Sequence, residues 1–255
     1  MELTLPVVLL LLLLGCASVS VQGHASELPS GIQRCEIQDQ NCVKNGVNHV
    51  LRNFAKTGIK ELALIPLDPL HVTTFKIARN PNSPVNIDLS FHEVDILGLH
   101  LGNAKQVSGF TPDLSRKVEL IMDVPEIIVK GPYAVDGRVL ILPIVGKGKA
   151  VIRLKDCKIR AQIKFKAVHK GEHQTFAEVE SASVDIDPSH VTYHLEGLFN
   201  GQKELSDNMH VLINENWHEI FNELKPSIGE AFGLITKSVL GRIFGKLPLE
   251  HLFVL

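Results

Sequence analysis

The sequence predicts an α+β fold in which a long, highly curved antiparallel β-sheet wraps around a long C-terminal α-helix. Between Gln202 and Lys246, apolar residues recur at steps of three and four, the period of an amphipathic helix. Between His71 and Leu195 they alternate with polar residues, the period of strands with one wet and one dry face. A long apolar helix needs an equally long apolar cover, and such strands supply it.

The composition is that of an ordinary globular domain. The chain has 255 residues, of which 45% are hydrophobic and 21% charged, and its formal net charge is -2. This near-neutral balance gives no general attraction to nucleic acid or to acidic membranes. No repeat or low-complexity segment interrupts the chain. We expect a single domain over residues 24–255, a monomer, and no nucleic-acid partner.

Residues 1–23 are interpreted as a signal peptide. Leu5 to Leu14 forms an apolar segment of the length typical of a signal-peptide core, too short to span a bilayer. Val21-Gln22-Gly23 offers a cleavage site, with Gly23-His24-Ala25 as the alternative. The segment before the apolar core lacks Lys and Arg and carries Glu2, unlike most signal peptides. We expect a secreted, extracellular protein without stable membrane insertion.

Secretion determines how the cysteines are interpreted. The chain has 4 Cys, and Cys16 leaves with the predicted signal peptide. Cys35 and Cys42 lie close together near the mature N-terminus, in an oxidising compartment. We therefore expect a disulfide that pins the N-terminal arm to the following helix. Cys157 falls on the apolar face of a predicted strand, which favours a buried, inert thiol.

Two short elements precede the strands. A helix is predicted over about Asn41–Lys56, where apolar residues share one face and Gly58 can end the helix. The apolar residues of this face are Val43, Val47, Val50, Leu51 and Phe54. The following segment contains Pro66 and Pro69, and each Pro removes a hydrogen-bond donor and restricts its neighbour. We expect an irregular connection there.

The alternating region contains one change of phase. Apolar residues occupy alternate positions up to Leu154 and resume on the opposite parity from Cys157. Such a shift requires a bulge or a bend, because one extra residue moves every later side chain to the other face of the sheet. Turn signals at Asp136-Gly137 and Lys170-Gly171 are expected to divide the region into antiparallel strands.

The C-terminal helix is predicted to be longer than a compact domain is wide. Its roughly 40 residues would extend over roughly 60 Å. Pro226 lies inside the periodic segment, and a Pro removes one intrahelical hydrogen bond. We expect a kink at Pro226, or two closely spaced helices that meet there.

No residue pattern supports catalysis. The sequence from His169 to His173 has the H-x-x-E-H spacing of an inverted zinc-protease motif, but that chemistry requires a helix. Here the motif follows a strand and contains a central Gly, so we interpret it as a polar hairpin turn. His190 and His194 would lie roughly 13 Å apart on a strand, too far to share a metal ion. We expect no enzyme, no catalytic residues, no metal and no cofactor.

One predicted strand carries a basic row on its polar face. The row consists of Lys158, Arg160, Lys164 and Lys166. A solvated outer face that resists edge pairing accounts for such a row, and a docking patch for an anionic surface is the alternative. Trp217 on the long helix is interpreted as a core residue or as part of a ligand cavity.

Two separate motifs resemble those of the insect takeout family, which is related to the haemolymph juvenile-hormone-binding proteins. Leu198–Leu205 and Leu212–Pro226 closely resemble the C-terminal motif of that family. The N-terminal motif is carried by Cys35, Cys42, Gly58-Ile59 and Pro66–Leu70. Lys60 stands where many members have Pro. The resemblance covers essentially the whole mature chain.

The resemblance implies a tubular fold, similar to the lipid-binding modules of bactericidal/permeability-increasing protein. It also implies a secreted carrier that holds a small hydrophobic ligand, such as a terpenoid hormone or a fatty-acid-like lipid, in an internal apolar tunnel. A link to the circadian clock or to feeding follows from the same resemblance. An unidentified receptor is a further candidate partner. Hormone-binding relatives carry a second disulfide, for which Cys157 has no mature partner. This difference favours membership of the takeout branch. It also argues against juvenile hormone itself as the ligand.

The apolar faces of the two predicted helices are the candidate tunnel lining. The candidate residues are Val50, Leu51, Phe54, Leu212, Ile213, Trp217, Phe221 and Leu224. The sequence does not distinguish a channel from a packed core, because both give the same apolar pattern. The alternative function is therefore an extracellular interaction protein with a filled core, which would bind its partner through the basic row.

Overall fold

The structure, a computed structural model, describes residues 28–29, 31–171 and 174–255. The predicted signal peptide, residues 1–23, lies outside the described residues, and so do Glu172 and His173 of the zinc-protease-like sequence. The described residues form a curled antiparallel sheet that packs on a long C-terminal helix. The predicted α+β fold class is confirmed.

The strands belong to one large sheet and one short parallel pair. In chain order they are β1 (Cys35–Glu36), β2 (Leu70–Ile77), β3 (Val85–Leu97), β4 (Asn103–Ser108), β5 (Val118–Val139), β6 (Leu142–Lys170), β7 (Gln174–Asp187), β8 (His190–Leu195) and β9 (Phe253–Val254). β1 pairs with β9, and the other strands form the large sheet. One half of that sheet has the order β4-β5-β6-β7, and the other half has the order β2-β3-β5-β6-β8.

The helices begin with the predicted one after the disulfide. They are α1 (Gln40–Asn53), α2 (Lys203–Glu215), α3 (Trp217–Lys246) and α4 (Leu249–Leu252). The carboxylate of Asp39 accepts hydrogen bonds from the amides of Asn41 and Cys42, which caps α1 at its N-terminus. Within the part of the chain that the structure describes, no helix combines the length and the apolar character needed to cross a membrane.

The long helix divides at Asn216 and not at Pro226, so the alternative of two helices that meet at Pro226 is wrong, and a kink at Pro226 stays a prediction. Asn216 has φ of -102° and ψ of 25°, and both its backbone amide and its side-chain amide donate to the carbonyl of Leu212. This capping ends α2 and leaves Trp217 to begin α3. Pro226 lies inside α3, is exposed and borders an open surface groove.

The predicted change of phase is present, and it is a bend that two strands share. On β6 the buried positions change parity between Leu154 and Cys157, where Asp156 has φ of +46°. On β5 their partners Ile127 and Val124 change parity at the same level, and the β5–β6 pairing keeps one register throughout. Neither strand therefore contains an extra residue here, and the hairpin bends as a unit.

One of the two predicted turns is wrong. Asp136-Gly137 lies inside β5, where Gly137 has φ of +148° and where an added Cβ would meet the carbonyl oxygen of Asn86 at 2.2 Å. This Gly permits close approach of two strands rather than a turn. The chain reverses instead at Leu140-Ile141, between β5 and β6. The predicted turn at Lys170-Gly171 is confirmed at Gly171, directly after β6.

Side chains from two helices bond to edge strands of the sheet. On α1, the buried carboxamide of Asn48 donates to the carbonyl of Ala104 and accepts from its amide, at 3.0 and 2.7 Å. On α2, the carboxamide of Asn214 forms the same two bonds with Tyr193, at 3.0 and 2.8 Å. The backbone groups of Ala104 on β4 and of Tyr193 on β8 are thus satisfied by helix side chains, which hinders further strand pairing at these two positions.

α3 covers the edge strand β7 by direct backbone approach. An ideal Cβ built on Gly229 would lie 2.4 Å from the carbonyl oxygen of Val184, and one on Gly233 would lie 2.4 Å from that of Ala182. Only glycine permits this separation between helix and strand. α3 also contacts β2, at an edge of the other half of the sheet. The helix therefore closes the curled sheet along its length.

We predict that Gly229→Ala and Gly233→Ala each lower the free energy of unfolding. The added methyl group must push α3 away from β7, which costs about 1–3 kcal/mol as an overpacked contact. Gly241 on the same helix is the matched control, since no described atom lies within 4 Å of the position of an added Cβ. Gly241→Ala should raise stability by about 0.5–1 kcal/mol through helix propensity. Urea titrations followed by circular dichroism measure both changes, and shifts of the same sign in all three variants would contradict the close approach.

Candidate functional site

An apolar cavity of about 350 Å³ lies between α1, the sheet and the second half of α3. The sheet contributes residues of β4, β5 and β6, including Val107, Met122 and Phe165. The loop after α1 contributes Leu62, Leu64 and Leu67. In the described part of the chain no lining residue is charged, and Gln33 is the lining residue with a polar side chain.

The structure brings two of the eight candidate residues to this cavity. Val50 and Leu51 of α1 line it. Phe54 lies at the end of α1, where it packs against a small buried cluster around Leu62 and Leu247. The remaining candidates on α2 and α3 lie outside the wall, and their role in ligand contact stays a prediction. These are Leu212, Ile213, Trp217, Phe221 and Leu224.

The candidate residues of α2 and of the first turns of α3 pack in or against the main core cluster, away from the last turns of α3 that reach the cavity. Ile213, Phe221 and Leu224 are buried in the main cluster. Trp217 is half-buried, and its ring lies 5.1 Å from that of His190. α3 instead reaches the cavity through its last turns, with Val239 to Phe244. The helix period identified the buried face of α3, but it could not say where along that face the packing ends.

Four phenylalanines close one side of the cavity. Phe110, Phe165, Phe244 and Phe253 all line it. Phe165 and Phe244 meet edge to face at 4.8 Å between ring centroids, and Phe110 lies 5.3 Å from Phe253. Offset and edge-on aromatic contacts of this kind hold rings in fixed orientations. The alternating strand pattern contained Phe165, but nothing in the sequence placed Phe253 beside it.

The two ends of the described chain meet at the cavity wall. Leu28, Ile32 and Cys35 of the N-terminal arm line it, together with Leu252 and Phe253 near the C-terminus. β1 and β9 pair Cys35 with Phe253, which joins the arm to the C-terminal segment. These contacts are long-range and carry no periodic signal, so sequence analysis missed them.

Arg34 and the disulfide fasten the N-terminal arm on two sides. The Arg34 guanidinium donates to the backbone carbonyls of Glu250 and of Phe253, the latter at 2.8 Å. On the other side, the predicted disulfide between Cys35 and Cys42 is confirmed, with a Cα–Cα separation of 5.6 Å. The arm is therefore attached both to α1 and to the C-terminal segment.

The Pro-containing loop under α1 is held by a buried carboxylate. Asp68 accepts hydrogen bonds from the backbone amides of Gly98 and His100, at 2.8 and 3.0 Å, and from the His100 ring. Burial raises the pKa of Asp68, but the bonds from His100 and Gly98 outweigh it and hold the pKa below its ordinary value. The loop that carries Leu67 into the cavity wall is thus fixed from beneath.

The histidines considered as metal ligands and the free thiol of Cys157 do not line this cavity. Among residues 28–29, 31–171 and 174–255, no group of three or more His, Cys, Asp or Glu is placed to hold a metal ion. His190 and His194 are exposed on β8, as predicted. Cys157 is fully buried, and burial, with a smaller contribution from Asp156, raises the pKa of its thiol to about 12. The prediction of an inert thiol agrees with this environment.

The predicted basic row is interleaved with carboxylates. Lys164 forms an ion pair with Glu180 at 2.8 Å, and Arg160 lies 3.7 Å from Glu119. Lys158 is paired in register with Asp187 of β7. Exposed pairs of this kind contribute little to stability, but they neutralise the face. The row is therefore not a uniformly positive surface.

Comparison with known proteins gives consistent matches over nearly the whole chain. The family model described as haemolymph juvenile hormone binding protein matches residues 9–254. The circadian clock-controlled protein daywake of Drosophila melanogaster is 31% identical over 241 residues, which cover 92% of each chain. Daywake of Drosophila yakuba is 29% identical over 261 residues, covering 99% of each.

A solved structure has the same fold. The crystal structure of Epiphyas postvittana Takeout 1 matches with a TM-score of 0.75 and 23% sequence identity. The match covers 88% of this chain and 100% of that chain. The resemblance to the takeout family is confirmed by these comparisons.

We predict that Arg34→Ala loosens the contact between the two ends of the chain. Loss of two charge-assisted hydrogen bonds should speed local opening by about tenfold or more. Hydrogen–deuterium exchange of peptides covering residues 31–37 and 249–255 measures this opening. Arg52→Ala, which removes an exposed cation from α1, is the control and should leave these peptides unchanged. Equal exchange in wild type and Arg34→Ala would show that Arg34 does not fasten the arm.

Proposed function

Because the chain belongs to the haemolymph juvenile hormone binding protein family, we propose that it carries a small hydrophobic ligand in the apolar cavity. The observation that supports this proposal is the cavity wall, which contains no charged residue within the described chain. An apolar cavity gives water few hydrogen-bond partners, whereas an apolar molecule can fill it and regain van der Waals contact. We propose a binding function and not an enzymatic one, in keeping with a family named for binding.

The wall favours an uncharged ligand. A carboxylate inside it would lose its hydration without gaining a cation, which is strongly unfavourable. An ester or carbonyl group could instead accept a hydrogen bond from the side chain of Gln33. We propose a terpenoid of the juvenile hormone type or a neutral fatty-acid derivative, in contact with Val50 and Leu51. A free fatty acid fits only if its carboxylate remains at the opening.

The apolar surface of such a ligand is large enough to give a dissociation constant in the micromolar range or below. Burying roughly 400 Å² of an isoprenoid or acyl chain contributes about 10 kcal/mol at ~25 cal/mol per Å². The loss of translational and rotational freedom takes back several kcal/mol. A dissociation constant near ~1 µM or below is therefore expected without any ion pair.

The proposed setting is extracellular. The predicted signal peptide, the disulfide and a family named for haemolymph proteins support secretion. Two relatives carry names that mark them as clock-controlled, which supports clock-linked expression for this protein as well. A transcript level that stays constant through the day in constant darkness would contradict that part of the proposal.

We predict that Gly46→Leu blocks the cavity. Gly46 lies on α1 in the cavity wall, and no described atom lies within 4 Å of the position of an added Cβ. A leucine there enters the cavity without a backbone clash and should weaken binding on the order of tenfold or more. Native mass spectrometry of protein secreted from insect cells, followed by solvent extraction, measures the bound lipid.

Gly245→Leu is the matched control for this experiment. Gly245 is an exposed helical glycine of α3 outside the cavity wall, and an added Cβ there likewise meets no described atom within 4 Å. Both variants gain helix propensity, so only the cavity distinguishes them. Equal lipid content in the two variants, or wild-type protein that holds no lipid and takes up no terpenoid or fatty-acid probe, would refute the carrier proposal.

The ligand class is tested with chemically matched probes. We expect palmitic acid methyl ester to displace a bound fluorescent probe at a lower concentration than palmitic acid at pH 7. The acid should gain potency as the pH is lowered toward its own pKa, because its neutral form enters the cavity. Equal potency of ester and acid at pH 7 would show that a carboxylate is accommodated.

A further inference from the structure

The connection between β5 and β6 presents apolar side chains to solvent. Val139 and Leu142 are the last paired residues, so Leu140 and Ile141 form a two-residue loop. Ile141 is 87% exposed, Leu142 is 43% exposed, and Val145 on β6 is 46% exposed. The exposed Ile141, Leu142 and Val145, together with Leu140, which is half-buried against the core, are termed the apolar tip.

The loop residues conflict with the loop geometry. Two-residue hairpin loops place Gly, Asn or Asp where φ is positive, because these residues tolerate that conformation. Leu140 has φ of +56°, which is unfavourable for a residue with a bulky side chain. Ile141 gains almost no burial in return. Leu140 regains contacts with the core and a hydrogen bond from its amide to the carbonyl of Pro84, whereas the exposure of Ile141 has no counterpart within the fold, which is typical of a functional site.

Three cationic residues follow the apolar tip along β5 and β6. Arg138 on β5 and Lys147 and Lys149 on β6 are exposed, and within the described residues none of them belongs to an ion pair. Of the neighbouring carboxylates, Asp136 is paired with Arg79, and Asp88 on β3 and Glu196 after β8 are exposed. An apolar end with exposed cations behind it matches the layers of an anionic bilayer, whose acyl region lies beneath charged headgroups.

We propose that the apolar tip docks this protein reversibly on an anionic lipid bilayer. The tip is the narrow end of a hairpin, whereas a stable protein complex needs about 800 Å² of matching surface on each partner. Ile141 and Leu142 would enter the acyl boundary while Arg138, the cation nearest the loop, meets lipid phosphates and the lysines farther along β6 add longer-range attraction. This contact is peripheral and requires no membrane-spanning segment.

The apolar tip and the cavity lie at opposite ends of the β5–β6 hairpin. Val118, at the start of β5, lines the cavity, and β5 has 22 residues before the loop. Its path is therefore roughly 70 Å long at about 3.3 Å per residue. Docking at the tip would position the carrier on a surface without placing the cavity wall in the bilayer. The two activities can therefore be tested separately.

The decisive variant is Leu140→Asn combined with Ile141→Gly. Asn tolerates the positive φ at position 140 better than Leu, which offsets the core contacts that the half-buried Leu140 gives up, so the hairpin should still form. Flotation with vesicles of phosphatidylcholine and phosphatidylserine should show wild-type binding, weakened by high salt, and at least about tenfold weaker partitioning of the variant. Uptake of a terpenoid probe should be unchanged.

Leu234→Ser serves as the control, since Leu234 on α3 is 66% exposed and far along the chain from the tip. It should bind vesicles as wild type does. Equal flotation of the Asn-Gly variant and wild type would overturn the proposal, and so would wild-type protein that ignores anionic vesicles. Self-association in sedimentation velocity that disappears in the Asn-Gly variant, without vesicle binding, would identify a second copy as the occupant and likewise overturn it.

Discussion

The covering of the edge strands is the constraint on which the rest of this structure depends. A curled sheet exposes unpaired backbone groups along each edge, and those edges would otherwise invite pairing with other chains. Here α1 bonds to β4 through Asn48, α2 bonds to β8 through Asn214, and α3 approaches β7 at Gly229 and Gly233. The helices are thereby fixed in position along the sheet. The cavity lies where α1 and the last turns of α3 face the same part of the sheet.

The fold class could be predicted because residue periodicity reports directly on which faces are buried. The alternating strands, the first helix and the long helical region all follow from that pattern. The places where the chain changes direction could not be predicted as well. Pro226 is a strong helix breaker, yet the break falls at Asn216, whose side chain caps the Leu212 carbonyl. The capping bond depends on local side-chain geometry, which periodicity does not contain.

The cavity was less accessible to sequence reasoning than the fold. Ile213, Phe221 and Leu224 share the apolar face of the helical region with Val239 and Phe244, yet only the last two line the cavity. A binary pattern is the same for a side chain that meets another side chain and for one that faces a void. The arm and the C-terminal segment reach the wall through the short β1–β9 pair, a contact between residues at opposite ends of the sequence.

The hairpin loop shows why a failed prediction can be informative. Asp136-Gly137 has the composition of a turn, but the glycine is used for close strand approach, and the turn falls on Leu140-Ile141. Turn propensity is a property of the isolated chain, whereas loop position is set here by the continuous β5–β6 register. The register fixes where the chain must reverse, and Leu140, which lies there, carries a conformational penalty. The exposed Ile141 and Leu142 next to it, with exposed cations farther along the hairpin, form the surface that the proposed lipid contact uses.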